Sequence, residues 1–332
     1  MQLSTAHYVF PALYCNLKRA NFLSYLPKDL VAYMQEITTL NRQRNKAIIK
    51  QAKKLNTLLI ENGCTSIFLK GTGNLLAGLY EDIAERMVGD IDFIFSEKDY
   101  RKAIDILYSN DYERVAKNEM PIDYTDFMYA KHYPRLRHEL EIAAVEVHQN
   151  YLLEEYKDEF NYSNTQKSAQ IIDGVKVLSY DNKVNLSIIA NQINDASFHY
   201  KTMSLRNAYD VFLLSKKTNA STAMQHLKKL RLPLLCFIAG THEVFNVPKS
   251  LKYLVTKATQ NYLAQFQKQF THPNLTRRKH KWIRLKLLIK TGLYLLSKAL
   301  VDTNARKWVL FRLSDPNWYK QKWKQTFNVL TT

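Results

Sequence analysis

An Asp-X-Asp pair inside an apolar segment constrains the fold of this chain more than any other feature. The residues around Asp90 and Asp92 are apolar: Val88, Ile91, Phe93, Ile94 and Phe95. Because strand side chains alternate between two faces, we predict a buried strand over residues 88–95 with both carboxylates on one face. Two carboxylates this close repel each other unless a cation lies between them. Mg²⁺ binds carboxylate oxygens together with substrate phosphates, so the strand predicts a metal site.

A glycine-containing segment, Leu69-Lys70-Gly71-Thr72-Gly73, precedes the acidic pair, and Gly71 lies nineteen residues before Asp90. A short strand is predicted over 65–69 and a short helix over 74–80, so the glycines form a predicted strand-to-helix turn. Glycine lets a backbone approach a phosphate closely. The turn and the acidic strand together indicate metal-dependent chemistry on a nucleotide. Considered alone, the turn also fits a purely structural role.

A third acidic residue lies in an alternating segment, Val145-Glu146-Val147-His148, within a strand predicted over 142–148. The two valines face one way, and Glu146 and His148 face the other. An acid between buried valines is costly to bury unless it is hydrogen-bonded in a structural role or bound to a metal. Three carboxylates at the ends of neighbouring strands can hold two metals, which polarise a phosphate and lower the pKa of an attacking hydroxyl.

The order of the predicted elements indicates the fold class. Apolar residues at three- and four-residue spacing predict a helix over 28–61, and Ser96 is predicted to cap the helix after the acidic strand. Later elements are predicted as a strand over 176–178 and helices over about 219–231, 233–245 and 249–270. We therefore predict an α/β (α+β) fold, in which a small mixed sheet is backed by helices and followed by a helical domain.

The chain is predicted to divide into four segments. They are an N-terminal helical segment (1–60), a core that carries the acidic residues (61–155), a helical domain (156–274) and a basic segment (275–332). The last boundary is placed at Thr271-His272-Pro273-Asn274, which interrupts the helical pattern.

The net charge of +18 is concentrated in the basic C-terminal segment. Residues 276–332 contain fourteen Lys or Arg and two Asp, which gives 14 − 2 = +12, and they also contain all four tryptophans. The pattern predicts an amphipathic helix over about 285–301. Three roles fit this helix: packing on the helical domain, contact with an anionic membrane surface, or contact with a nucleic-acid backbone.

Composition excludes several classes of protein. With 46% hydrophobic residues the chain is globular rather than disordered. Cys15, Cys64 and Cys236 lie far apart and match neither a metal site nor a disulfide framework, so a reducing cytoplasm is expected. The sequence predicts neither a signal peptide nor a membrane span, since no window of about 18 residues is apolar throughout. A peripheral position at the inner face of the membrane is expected if the basic segment binds lipid.

Four ordered elements resemble a known family: Leu69-Lys70-Gly71, Arg86, Asp90-Ile91-Asp92 and Val145-Glu146-Val147-His148. Their order and spacing resemble the nucleotidyltransferases of the polymerase-β-like superfamily. The most similar group is a poorly characterised bacterial family often associated with surface-polysaccharide loci. The segment from Lys131 to Leu136 also resembles that family's approach to its last strand. The resemblance covers roughly residues 30–245, and four elements in order are more specific than Asp-X-Asp alone.

The resemblance implies an enzyme that uses Mg²⁺ or Mn²⁺, a nucleoside triphosphate and an unidentified acceptor. It implies three sets of site residues. The catalytic and metal-binding set is Asp90, Asp92 and Glu146; the nucleotide-binding set is Lys70, Gly71, Thr72 and Arg86; and His148 and His132 lie behind the metal ligands. The sequence departs from the family at two positions: Thr72 replaces a common Ser or Gly, and Glu146 is one methylene longer than Asp.

Two other classes of function fit the same residues. One is an RNA-modifying nucleotidyltransferase toxin of a toxin–antitoxin or phage-defence system, which shares the Lys-Gly and Asp-X-Asp elements. The other is a scaffold that keeps the fold without the chemistry. Structural roles also fit individual residues: Arg86 can pair with a nearby acid, and Arg206 and Asp210 have the spacing of an intrahelical pair.

Overall fold

The computed structural model describes residues 1–115, 131–152, 154–316 and 320. In these residues the chain forms a mixed sheet of seven strands surrounded by helices, which confirms the predicted fold class. The strands are Ile67–Phe68 (β1), Asp90–Ile94 (β2), Glu113–Arg114 (β3), Leu136–Arg137 (β4), Ala144–His148 (β5), Gln170–Ile172 (β6) and Val175–Val177 (β7). The helices up to the sheet's last strand are Gln2–Ala6 (α1), Phe10–Arg19 (α2), Lys28–Glu61 (α3), Lys70–Leu76 (α4), Glu97–Tyr108 (α5) and Tyr162–Thr165 (α6). The later helices are Tyr180–Ile189 (α7), Ser197–Tyr200 (α8), Leu205–Leu214 (α9), Arg231–Val244 (α10), Lys257–Thr271 (α11), Pro273–Val301 (α12) and Thr303–Leu313 (α13).

The acidic strand β2 lies at the centre of the sheet, whose order is β3-β4-β5-β2-β1-β7-β6. It pairs in parallel with β5 and antiparallel with β1. The parallel pairing places Asp90 beside Ala144, Asp92 beside Glu146 and Ile94 beside His148. Paired residues on neighbouring strands face the same side of a sheet. The register therefore brings the acidic and histidine side chains of β2 and β5 onto one face.

The long helix α3 packs against the sheet and holds the segment that leads into β2. Its residues Ile48, Ala52 and Leu59 are fully buried. The amides of Asn41 and Asn45 donate hydrogen bonds to backbone carbonyls of residues 83, 84 and 86. These bonds satisfy backbone groups of an irregular segment, which would be costly to bury unpaired.

Two predicted helices differ from the structure in their bounds or in their existence. Residues 219–230 form turns rather than a helix, and the carboxylate of Glu159 accepts hydrogen bonds from the backbone N–H groups of Lys228, Lys229 and Leu230. The helix predicted over 249–270 begins only at Lys257, where Thr256 caps it. The Ser96 cap is confirmed, since its hydroxyl accepts a bond from the Asp99 N–H at 3.1 Å.

The glycine-containing segment also differs from its prediction. Helix α4 begins at Lys70, so the glycines lie in the first helical turn rather than in a turn before the helix. The N–H of Gly73 already donates to the Leu69 carbonyl at 2.8 Å. This bond closes the first helical turn and brings the Gly73 backbone against the end of β1.

Replacing Gly73 with Ala is expected to destabilise the protein by about 1–3 kcal/mol. A Cβ at this position would lie 2.6 Å from the Phe68 carbonyl oxygen, a buried backbone atom that cannot rotate away. Urea unfolding of the variant measures the loss. The control is Gly292→Ala in α12, where a Cβ meets nothing within 4 Å. That control should be neutral or stabilising by up to about 1 kcal/mol; equal stability of the two variants would contradict the prediction.

Candidate active site

A buried group of two carboxylates and one imidazole lies on the face shared by β2 and β5. The residues are Asp92, Glu146 and His148, and all three are buried. The Nε2 of His148 lies 2.9 Å from Asp92 Oδ1 and 3.5 Å from Glu146 Oε2. One ligand atom from each residue lies within 4.8 Å of the other two. These three side chains could therefore hold a metal ion.

The ammonium group of Lys70 occupies the space between the two carboxylates. Its Nζ lies 2.6 Å from Asp92 Oδ1 and 3.6 Å from Glu146 Oε2. Burial would lower the pKa of Lys70, but the charges of Asp92 and Glu146 outweigh burial and raise it. The Lys70 backbone has a left-handed φ of +48°, a conformation that costs an L-residue on the order of 1 kcal/mol and recurs at functional sites.

Arg135 links the remaining acid to the group. Its Nη2 lies 3.1 Å from Asp90 Oδ2, and its Nε donates to Glu146 Oε1 at 2.9 Å. Burial and the Glu146 carboxylate raise the pKa of Asp90, and Arg135 opposes that rise. Asp90 thus lies on the same face as Asp92 but is engaged by Arg135. Sequence reasoning gave Arg135 no role, although its alternation with the buried Leu136 placed it on the polar face.

His132 closes one side of the group. Its ring centroid lies 5.0 Å from that of His148, and its Nε2 lies 3.9 Å from Glu146 Oε2. Its Nδ1 is hydrogen-bonded to the Tyr133 carbonyl at 2.8 Å. Burial lowers the pKa of His132. His132 therefore lies beside the group, whereas His148 lies among the candidate metal ligands.

Glu146 is a buried carboxylate that Lys70 and Arg135 contact. Burial alone would raise the pKa of Glu146. The hydrogen bond from His148 and the charge of Lys70 are the main effects that oppose burial, and they hold that pKa well below its ordinary value. A carboxylate kept ionised in a buried position can bind a cation at neutral pH without first losing a proton.

The hydroxyl of Thr72 has a partner within the protein. It donates to the Asp90 carbonyl at 2.9 Å, and Thr72 is fully buried. The one proton of this hydroxyl is therefore engaged within the protein. Thr72 ties the first turn of α4 to the start of β2. Gly71 lies beside it, where a Cβ would come within 2.9 Å of Val88.

Arg86 also has a different role from the predicted nucleotide contact. Its buried guanidinium donates to both carboxylate oxygens of Asp210, at 3.1 and 3.0 Å. The Tyr80 hydroxyl donates to the same carboxylate at 2.7 Å. The intrahelical pair of Arg206 with Asp210 is therefore replaced by a tertiary pair, and the Arg206 guanidinium lies over the Tyr8 ring. Sequence spacing gave no signal for this pair, since its members lie 124 residues apart.

The donor set fits a divalent cation. Two carboxylates supply oxygens of the kind that Mg²⁺ and Mn²⁺ bind, and an imidazole nitrogen suits Mn²⁺ better than Mg²⁺. The Nε2 of His148 faces both carboxylates and is the imidazole nitrogen that could bind the metal. The Lys70 ammonium shows that the space between the carboxylates accommodates positive charge. The residues present thus fit a metal of this class.

Comparisons with known proteins identify the family. A family profile described as "Uncharacterised nucleotidyltransferase" matches residues 1–246 of the 332-residue chain. Among solved structures, the chain is similar to the crystal structure of JHP933 from Helicobacter pylori, with 14% identity and a TM-score of 0.34. That similarity covers 74% of this chain and 97% of JHP933. A search of curated proteins found no match. Because the match covers well over half of this chain, the chain belongs to the uncharacterised nucleotidyltransferase family.

Proposed function

We propose that this protein is a Mg²⁺- or Mn²⁺-dependent nucleotidyltransferase that transfers a nucleoside monophosphate from a nucleoside triphosphate to a hydroxyl or phosphate acceptor. The observation that carries the proposal is the buried group of Asp92, Glu146 and His148, in a chain of the nucleotidyltransferase family. Buried ionised carboxylates are costly to keep without a function or a cation.

The proposed reaction exchanges a phosphoanhydride bond of the triphosphate for a new bond between the α-phosphorus and the acceptor. An oxygen of the acceptor forms a bond to the α-phosphorus, and the bond from that phosphorus to the bridging oxygen of the β-phosphate breaks. Pyrophosphate leaves with the bonding electron pair. When the acceptor is a hydroxyl, Glu146 would orient it or accept its proton, because the Glu146 carboxylate lies close to Asp92.

The metal, when bound, would reduce the charge on the phosphates and lower the pKa of the acceptor hydroxyl. Asp92, Glu146 and His148 would hold it, and Asp90 would join them on leaving Arg135. Lys70 would exchange its carboxylate partners for a phosphate oxygen. The main-chain N–H groups of Gly71 and Thr72, rather than the Thr72 hydroxyl, are then available to the triphosphate.

The acceptor class follows from the resemblance of the four sequence elements. Because the similar bacterial family is often associated with surface-polysaccharide loci, we propose a sugar phosphate or a related carbohydrate as the acceptor. The competing acceptor is the end of an RNA, as in nucleotidyltransferase toxins. Growth arrest on expression of the wild type, but not of an Asp92→Asn variant, would favour the RNA acceptor and contradict the carbohydrate one.

Label transfer tests the proposed function directly. The purified chain is incubated with each of the four α-labelled nucleoside triphosphates, with Mg²⁺ or Mn²⁺, and with sugar-phosphate and tRNA acceptors. The expected result is pyrophosphate release and labelled acceptor, for at least one nucleotide, that EDTA abolishes. Metal-independent labelling would contradict the proposal, and so would the absence of nucleotide binding by the metal-loaded protein.

Lys70→Met is expected to destabilise the metal-free protein by about 1–2 kcal/mol, a value reduced because the side chain is partly exposed. The change removes the ammonium that separates the carboxylates of Asp92 and Glu146. It should also enlarge the thermal shift that Mn²⁺ or Mg²⁺ alone produces, because the metal no longer competes with an internal cation. Thermal unfolding in EDTA and in metal measures both effects.

Lys54→Met is the matched control for this substitution. Lys54 forms an ion pair with Glu141 at 2.8 Å, away from β2 and β5, and its side chain is mostly exposed. The control should lose less than about 1 kcal/mol and gain no metal response. A smaller metal shift in Lys70→Met than in the wild type would show that Lys70 assists metal binding rather than competing with it.

A further inference from the structure

The helix α12 exposes a continuous apolar stripe on the side that faces away from the rest of the protein. The stripe consists of Leu275, Trp282, Ile289, Leu293, Leu296 and Leu300. At about 100° per residue these positions lie on one face of the helix. Trp282 is 72% exposed and Leu300 is 79% exposed. Exposed apolar patches of this kind mark interaction sites in soluble proteins.

The opposite face of α12 makes the contacts with the body of the protein. The Nε2 of His280 is hydrogen-bonded to the Tyr200 carbonyl at 2.9 Å, and Ile283 and Leu287 are partly buried. The sequence had left open that α12 simply packs on the helical domain. The structure shows that it does so through this face, while the apolar stripe takes no part in that packing.

Basic residues border the apolar stripe over the first two thirds of the helix, as far as Lys290. Residues 273–301 contain eight Lys or Arg and no Asp or Glu. The exposed ones beside the stripe are Arg278, Lys279, Lys286 and Lys290. Lys290 meets Glu155 at 3.4 Å, and both side chains remain more than half exposed. The partner that covers this face must therefore combine an apolar interior with negative charge.

From this combination we propose that α12 binds the surface of a bilayer that contains anionic lipids. Leu, Ile and Trp side chains enter the boundary between headgroups and acyl chains, while Lys and Arg contact the charged headgroups. A second copy of the chain would bring two positive helices together, which is unfavourable. A nucleic acid would pair with the lysines but leave the aliphatic stripe in water.

The helix lies on the membrane rather than crossing it. None of the helices in the described part of the chain is long and apolar enough to span a bilayer. Lysines and arginines recur within every turn or two of α12, which suits a helix lying parallel to the surface. The inference is independent of the proposed transfer reaction, since it concerns a separate surface and is tested without substrate.

Vesicle co-sedimentation of the full chain tests the inference. Wild type is expected to bind vesicles of phosphatidylcholine with phosphatidylserine and not vesicles of phosphatidylcholine alone. The double variant Trp282→Glu/Leu293→Glu should lose at least about tenfold in binding, because two apolar anchors are removed. Lys286→Glu/Lys290→Glu should also weaken binding, and wild-type binding should fall as salt rises.

The matched control is Leu140→Glu/Ile171→Glu, which makes the same change at two exposed apolar residues outside α12. It should bind vesicles like the wild type. Equal binding by the stripe variant and the wild type would overturn the inference. A lower melting temperature of the stripe variant would show that the chain covers its own stripe. If the wild type self-associated or bound tRNA instead of vesicles, and the stripe variant lost that binding, the occupant would be a second copy or a nucleic acid. Each of these three results would also overturn the inference.

Discussion

Asp92→Asn is expected to reduce nucleotidyl transfer by a factor on the order of 10³ or more, with no change of fold. Asp92 lies at the centre of the candidate site, since its Oδ1 contacts both Lys70 Nζ and His148 Nε2. Asparagine keeps the size of the side chain and can still accept hydrogen bonds from these neighbours. It loses the negative charge that a divalent metal requires of its ligand. Pyrophosphate release or transfer of an α-labelled nucleotide measures the effect.

The control for this substitution is Asp105→Asn, the same chemical change on the exposed face of α5. The control should retain full activity, because its carboxylate lies outside the site. Circular dichroism and thermal unfolding should show native folds for both variants. Wild-type activity in Asp92→Asn would refute the assignment of the site, and equal losses in both variants would point to a general charge effect instead.

Asp210→Leu is expected to destabilise the protein by about 3–5 kcal/mol. The change leaves the buried Arg86 guanidinium without its carboxylate and removes the acceptor of the Tyr80 hydroxyl. A buried unpaired cation is far more costly than an exposed one because the interior screens charge poorly. The pair also joins the segment before β2 to helix α9, so its loss should loosen the backbone that positions Asp90. Urea unfolding at neutral pH measures the effect.

A double-mutant cycle separates the cost of the lone charge from other effects of the substitution. The variant Arg86→Met/Asp210→Leu removes both charges and should be more stable than Asp210→Leu alone. The exposed pair of Lys54 with Glu141 supplies a comparison, because Glu141→Gln there should cost less than about 1 kcal/mol. If the double variant lost the full sum of the two single losses, Arg86 and Asp210 would not be acting as a pair.

The parts of the site that follow from local periodicity could be predicted from the sequence. Alternation within β2 and β5 placed Asp92 and Glu146 on one face of a sheet, and the parallel register between the strands then brought them together. The helical spacing over residues 28–61 likewise predicted α3 within its observed bounds. These predictions succeeded because each element's own side-chain pattern matches the environment in which it packs.

The parts that depend on contacts between distant segments could not be predicted. Nothing in the local sequence of Arg86 indicates that Asp210 is its partner, or that Thr72 donates to the Asp90 carbonyl. The position of Lys70 between two carboxylates likewise follows from the assembly of α4 against β2 rather than from the Lys-Gly motif. The prediction of a helix over 219–231 is wrong, because the Glu159 carboxylate accepts hydrogen bonds from the backbone N–H groups of Lys228 and Lys229.

The basic C-terminal segment is described by the structure only in part. The break predicted at 271–274 is present, since α11 ends at Thr271 and α12 begins at Pro273. Trp318 and Trp323, which contributed to the expectation of an interfacial segment, lie outside the described residues. Trp308 lies on α13, so among the described tryptophans only Trp282 belongs to the apolar stripe.

Metal-dependent nucleotide binding is the most direct test of whether Asp92, Glu146 and His148 form a metal and nucleotide site. Thermal unfolding of the wild type and of Asp92→Asn is measured with each of the four nucleoside triphosphates, with Mg²⁺, with Mn²⁺ and with EDTA. A ligand that binds only the folded state raises the melting temperature by mass action. We expect a metal-dependent rise with at least one nucleotide in the wild type, and we expect Asp92→Asn to lose it. An equal rise in both proteins, or no rise with any nucleotide and metal, would contradict it.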